Sequence, residues 1–221
     1  MPADAELEAA ILANPDDDAA YLVYADYLMA RDDPRGQLIV IQAQAEEEPE
    51  KARRAVLRKA AGALIDQHRE YFLGPLAKLD PSGKRSGLVW RCGYVRKLEL
   101  EWEEDMDPDE ADRQLATILV HPSYRFIIEL ELGPLYDWEG DAHVQGFVDT
   151  LVAIGQPEAL RLLQLSRPSL NAVSTASESF GELIAKLTRL RRITIRERAL
   201  DKARPTDPIH ELSIRRRKAR S

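Results

Sequence analysis

Six carboxylates crowd one stretch of the chain, with Asp16, Asp17, Asp18, Asp26, Asp32 and Asp33 all falling within "NPDDDAAYLVYADYLMARDDPRGQLIVIQ", Asn14 to Gln42. Clustered carboxylates are what a divalent cation or an acid–base pair requires. Their positions argue for a different job. Asp16 to Asp18 directly precede an apolar helical pattern, and Asp32 and Asp33 precede Pro34 and another. At a helix N-terminus a carboxylate accepts backbone N–H bonds and meets the positive end of the macrodipole. Asp26 is the exception, lying between Ala25 and Tyr27 in mid-helix near the expected packed face. A buried carboxylate there needs a counter-charge, and Arg35 is its expected partner.

Other chemistry has weaker handles. His68, His121, His143 and His210 are spaced far beyond ligand distance, and Cys92 has no second cysteine, so neither a metal nor a disulfide is expected. His121, before Pro122, reads as a partly charged ring at a helix C-terminus. "DPSGKRSG", Asp80 to Gly87, has the Gly-Lys pair of a phosphate loop, but Lys78 stands where the first glycine belongs and Arg85 where serine or threonine belongs. A turn leading into the strand "GLVWRC" is the expectation. Without a G-x-S-x-G elbow, an H-E-x-x-H pair or a Cys/His nucleophile pair, no catalytic residue and no cofactor is assigned.

Charge is distributed unevenly. Residues 1–50 carry 13 acidic and 2 basic side chains, whereas residues 189–221 carry 12 basic and 4 acidic, within a formal net charge of -7. Solvated faces with a head-to-tail tendency are the plain reading of that polarity. The terminal "IRRRKARS", Ile214 to Ser221, reads as a solubilising tail, with an electrostatic arm for nucleic acid or anionic lipid as the alternative. No apolar run has the length of a bilayer crossing, and "MPADAELEAA" is acidic where a secretory signal is basic, so a cytoplasmic protein without membrane insertion is expected.

The positioning elements follow from periodicity. An L-x-L core recurs in "VRKLELEW", "FIIELELG", "LRLLQLSR" and "LRRITIRE", and the anchors Leu98, Leu130, Leu163 and Ile193 are 32, 33 and 30 residues apart. Segments of helical spacing lie between them, through Ala111, Leu115, Ile118 and Leu119, then Val144, Phe147, Val148, Leu151 and Ile154, then Phe180, Leu183, Ile184 and Leu187. Alternation of strand and helix at a fixed period is the mark of a solenoid, whose units bury their apolar faces on one another. Residues 4–76 read as all helix, ending in one long helix that stacks Val56, Leu57, Ala60, Leu64, Ile65, His68 and Phe72 on one side.

Two family resemblances sit on these residues. The repeats, over about residues 93–197, resemble the leucine-rich repeat class, although the asparagine expected after each L-x-L core is absent, so irregular turns are expected. The N-terminal string, with Asn14, Pro15, Asp17, Leu22, Val23, Tyr24, Ala25, Asp26, Leu28, Asp33, Pro34, Arg35, Ile39 and Gln42, resembles the bacterial repeat-companion domain, a helical module that often precedes degenerate leucine-rich repeats. Tyr27 stands where that pattern usually carries tryptophan. The resemblance implies architecture and no enzymatic activity.

The expected fold is therefore α/β: a helical unit at 1–76 capping a short leucine-rich-repeat-like solenoid at 93–200, joined by a turn and strand at 77–92 and closed by a cap and basic tail at 201–221. Strand side chains alternate, so residues between the core leucines project from one sheet face. They form three rows: Lys97, Glu129, Leu162, Arg192; then Glu99, Glu131, Gln164, Thr194; then Glu101, Gly133, Ser166, Arg196. Acidic at one end and basic at the other, these rows are either solvated strand faces or the docking surface of a protein partner. The function expected is a non-enzymatic adaptor, scaffold or regulatory subunit, with a nucleic-acid-associated factor as the alternative.

Overall fold

In the computed structural model, residues 4–81, 86–102, 106–133, 144–155, 157–166, 177–196 and 209–213 are described. The N-terminal part is helical: α1 (Asp4–Ala13), α2 (Asp18–Met29), α3 (Pro34–Glu47), α4 (Lys51–Gln67) and the short α5 (Arg69–Leu73) and α6 (Leu76–Leu79). There follow β1 (Ser86–Arg91), β2 (Tyr94–Leu100), α7 (Pro108–Leu119), a 3-10 turn (Pro122–Tyr124), β3 (Glu129–Leu132), α8 (Val144–Ile154), β4 (Leu162–Ser166), α9 (Ser177–Lys186), β5 (Arg192–Arg196) and β6 (Ile209–Ser213).

The caps follow the expected chemistry at two positions. Asp17 accepts a hydrogen bond from the Ala19 amide at the start of α2, and Asp33 accepts one from the Arg35 amide, with Pro34 opening α3. The expected long helix is instead broken. His68 leaves helical geometry at φ -116°, ψ 41°, and a second break follows at Gly74 and Pro75, so that one helix of 17 residues is followed by two short ones of 5 and 4. Ala61 and Leu64 face the core, while Val56 is 68% exposed and Ala60 is also exposed. The single apolar stripe over residues 56–72 is thus replaced by a shorter one that turns with the chain at His68.

The six strands among the described residues form one open, mostly parallel sheet in the order β1-β2-β3-β4-β5-β6. β2 to β5 are parallel, and β1 and β6 pair antiparallel at the two edges. The L-x-L anchors lie opposite one another, Leu98 on Leu130, Leu130 on Leu163 and Leu163 on Ile193. Register here is fixed by burial, since a one-residue slip would turn every anchor to the other face. The anchors pack on Leu115, Ile118, Phe147, Val148, Leu151, Phe180 and Leu183 from α7, α8 and α9 in the main core. Each buried leucine stabilises that layer by about 2 kcal/mol.

β1 and β2 are joined by Cys92 and Gly93, both at positive φ (49° and 76°), as a two-residue hairpin of this type requires. A Cβ at Gly93 would stand 2.7 Å from Ile39 Cγ1, so this turn fits under α3 only with glycine. Gly36 plays the same part between α2 and α3, where a Cβ would stand 2.7 Å from the Ala25 carbonyl oxygen.

A second core joins the helices to the sheet. Leu7 and Ile11 of α1 and Tyr21, Tyr24, Ala25 and Leu28 of α2 pack on Cys92, Tyr94 and Phe126. Tyr21 meets Phe126 edge-on at 6.0 Å, and Tyr94 meets Phe126 at 4.6 Å. A third, small core of Leu38, Ala61, Leu64 and Phe72 takes Trp90 of β1 against it.

Candidate functional site

Of the acidic cluster, Asp17 and Asp33 cap helices and two others hold the helical unit to the sheet. One oxygen of Asp16 accepts from Arg96 Nη2 at 3.1 Å and the other from Arg161 Nη1 at 2.6 Å. Asp18 accepts from Arg91 Nη2 with both oxygens, at 2.8 and 2.9 Å, and from the Cys92 thiol at 3.4 Å. Glu8 of α1 is paired with Arg125, and Arg189 reaches the Ala13 carbonyl at 3.4 Å. Arg96 and Arg161 occupy equivalent places at the N-terminal ends of their strands, linked by backbone bonds from Ile128 N to Arg96 O and from Arg161 N to Ile128 O, each 2.9 Å. The α1–α2 corner therefore lies across the N-terminal ends of the parallel strands as a carboxylate clamp.

Electrostatics agrees with that geometry. The Arg161 hydrogen bond, followed by the charges of Arg161 and Arg96, holds the Asp16 carboxyl below the usual carboxylate range. Burial raises Glu8 despite Arg125 beside it. Burial also pushes the Cys92 thiol up to about 12, with the Asp18 carboxylate adding to the effect. Such a thiol is neither a nucleophile nor a ready metal ligand.

Two expectations are corrected. Asp26 is exposed on the outer side of α2 and Arg35 is not its partner. The phase of the helix explains this, since Tyr24, Ala25 and Leu28 take the buried side and carry Asp26 round to water. Arg35 is 3% exposed and donates to the Gly93 carbonyl at 2.6 Å and to Ser123 Oγ at 3.0 Å, with its guanidinium 4.6 Å over the Tyr94 ring. It thus ties α3 to the β1–β2 turn and to the 3-10 turn. Gln42 completes the tie by accepting from the Gly93 amide at 2.7 Å. His121, in turn, is not a charged helix terminator. Its Nδ1 accepts from the Ser123 amide at 3.3 Å, and burial together with the Arg35 charge lowers its proton affinity.

The rows on the sheet face opposite α7 to α9 have the expected register. Lys97 lies beside Glu129, Glu129 beside Leu162 and Leu162 beside Arg192, while Glu99, Glu131, Gln164 and Thr194 form the next row. Lys97 sits within the acidic end, paired to Glu99 and 3.6 Å from Glu131 Oε2, and the bond to Glu99 raises its proton affinity. Gln164 donates to Glu131 across the β3–β4 boundary. Thr194 is 8% exposed and Arg192 is exposed. In the third row Glu101 is exposed, Gly133 is buried with its amide bonded to the Leu100 carbonyl at 2.7 Å, and Ser166 pairs with Arg196 in register.

The basic segment Arg215 to Ser221, the residues at 103–105, 134–143 and 167–176 that follow the first three L-x-L cores, where irregular turns are expected, and with them His143, lie outside the described residues. Among the described residues no group of three or more His, Cys, Asp or Glu side chains is placed to hold a metal ion, and no helix is long and apolar enough to cross a membrane. No family model matches the chain, and neither a curated protein nor a solved structure matches it.

Proposed function

We propose that this chain is a non-enzymatic protein-interaction module, an adaptor, scaffold or regulatory subunit, whose docking surface is the face of the sheet opposite α7 to α9. The observation that carries the reading is the charge order of that face. Glu99, Glu101, Glu129 and Glu131 lie over β2 and β3 with Lys97 among them, Leu162 and Gln164 lie over β4, and Arg192 lies over β5. A partner with complementary charge order gains steering and a defined orientation from such a face. Repeating strand–helix units with parallel strands in register support a short leucine-rich-repeat-like solenoid. The clamped helical unit beside it supports the repeat-companion reading, with Asn14, Pro15, Asp17, Asp33, Pro34 and Arg35 as its structural residues.

The test compares the chain with its Glu99→Lys/Glu129→Lys/Glu131→Lys variant as bait in native lysate, followed by titration of the captured protein in purified form. Equal binding of the purified partner by chain and folded variant would overturn the reading. Capture of nucleic acid that depends on Arg215 to Arg220 would replace it with the nucleic-acid reading.

A further inference from the structure

Where α3, α4 and β1 meet, they leave a groove of about 390 Å³ at the surface. Each helix gives it one face, and β1 gives it three consecutive residues, Val89, Trp90 and Arg91. A regular strand sends neighbouring side chains to opposite sides, so three in a row could not line one groove. The register shift between Val89 and Trp90 is the local reason that they do. Irregularities of this kind re-aim side chains, as bulges beside functional sites do.

Its lining is apolar in one part and rich in donors in another. Ala61, Ile65 and Trp90 supply the apolar part, with Trp90 held edge-on to Phe72 at 6.0 Å, and Val89 beside them is 54% exposed. Gln42 uses its Oε1 to accept from the Gly93 amide at 2.7 Å, which leaves its NH2 group for another acceptor. Arg91 binds Asp18 through Nη2 alone, so its Nε and Nη1 donate to nothing among the described residues. Arg58 meets Glu46 only at 3.4 Å, and the two side chains are 63% and 58% exposed. Such a pair contributes little and yields to a better acceptor. Against these donors, Glu46 is the one carboxylate in the lining among the described residues.

Gly62, also in the lining, has no role within the chain that requires glycine. It lies inside the 17-residue α4, where glycine weakens a helix relative to alanine, yet a Cβ there would meet nothing within 4 Å. What its missing side chain does is keep the wall of the groove low, the use that glycine has where a ligand comes close to backbone.

We propose that this groove binds a small carboxylate with a flat apolar body, the body lying between Gly62 and Trp90 and the carboxylate taking donors from Arg58, Arg91 and Gln42. A cavity of this volume, with an apolar lining and a few converging polar groups, suits a ligand of that class. A guanidinium offers paired N–H groups in the geometry that a carboxylate accepts. None of the sheet-face residues lines the groove, so this site stands or falls separately from the docking face.

The experiment titrates the full chain with cinnamate and, separately, with uncharged cinnamamide of the same shape. Binding is read from the NMR shift of the Trp90 indole N–H, assigned with Trp90→Phe. The expected result is saturable binding of cinnamate with a Kd of about 1 mM or tighter, weakened by salt, and binding of cinnamamide weaker by about five-fold or more. Arg58→Gln should weaken cinnamate several-fold and leave cinnamamide unchanged. Gly62→Leu should abolish binding of both while its urea midpoint stays at or above that of the parent, since leucine is the better helix former and no neighbour stands in its way. The Glu99→Lys/Glu129→Lys/Glu131→Lys variant should bind cinnamate as the parent does. No saturable shift up to about 20 mM cinnamate in the folded chain overturns the proposal. So does equal binding of cinnamamide, cinnamate affinity indifferent to both Arg58→Gln and salt, or binding that survives Gly62→Leu.

Discussion

Asp16 and Arg161, 145 positions apart in the chain, share a 2.6 Å hydrogen bond, and the same carboxylate holds Arg96 with its other oxygen. One side chain from the α1–α2 corner therefore spans strands β2 and β4, crossing over β3 between them. The helical unit is tied along the N-terminal ends of the parallel strands as well as at the β1 edge.

Asp16→Asn should destabilise the chain by about 1 kcal/mol at neutral pH, because the carboxylate is half-exposed and its charge is screened. The sign with pH follows from a folded-state value held below the unfolded one. Stability from this pair is complete above the unfolded-state value of about 4 and is lost as pH falls through the lower folded value. Urea unfolding of both proteins at neutral pH and at about pH 3 checks this, with the difference between them shrinking at the acid end.

Arg35 should tolerate no conservative replacement. Arg35→Lys keeps the charge but cannot reach both the Gly93 carbonyl and Ser123 Oγ with a planar fork, so a loss of about 2–4 kcal/mol is expected. Denaturant midpoints for Arg35→Lys and for the exposed control Asp26→Asn separate the two positions, the control staying within about 0.5 kcal/mol of the parent.

His121 should make the fold weaker toward mild acid. Its proton affinity is depressed in the folded state by burial and by Arg35. The stability it supports is full above the unfolded-state value of about 6.5 and declines as pH drops from there toward the folded value. His121→Asn should flatten that part of the stability profile, measured by urea unfolding between about pH 7.5 and pH 5.5.

Cys92 should resist thiol reagents until the chain opens. Its thiol is buried and its pKa is pushed up to about 12, so labelling should be slow in buffer and should rise with urea in step with loss of the fold. Rapid labelling in buffer would show that the β1–β2 turn separates from α2 without global unfolding.

The parts of the fold that repeat were legible in the sequence. Leu98, Leu130, Leu163 and Ile193 recur at a near-constant interval, and apolar alternation fixes which side each strand buries, so register followed from spacing alone. The caps at Asp17 and Asp33 were legible for a local reason, since a cap and its amide are neighbours in the chain. What spacing could not supply were the long-range ion pairs. Asp16 looks like its neighbour Asp17, and only the fold brings Arg96 and Arg161 to it. Asp26 and Arg35 were paired by proximity in sequence, whereas the rotation of α2 turns Asp26 to water and the β1–β2 turn claims Arg35. The break at His68 was hidden because helical spacing continues on both sides of it.

The central claim is that the sheet face opposite α7 to α9 docks a protein, and its most direct test is a titration of the captured partner, purified, against the chain and against the folded Glu99→Lys/Glu129→Lys/Glu131→Lys variant. The account predicts a weakening of at least about ten-fold, with a slower association rate and a smaller salt dependence in the variant. Equal affinity and equal salt dependence for the two proteins would contradict it.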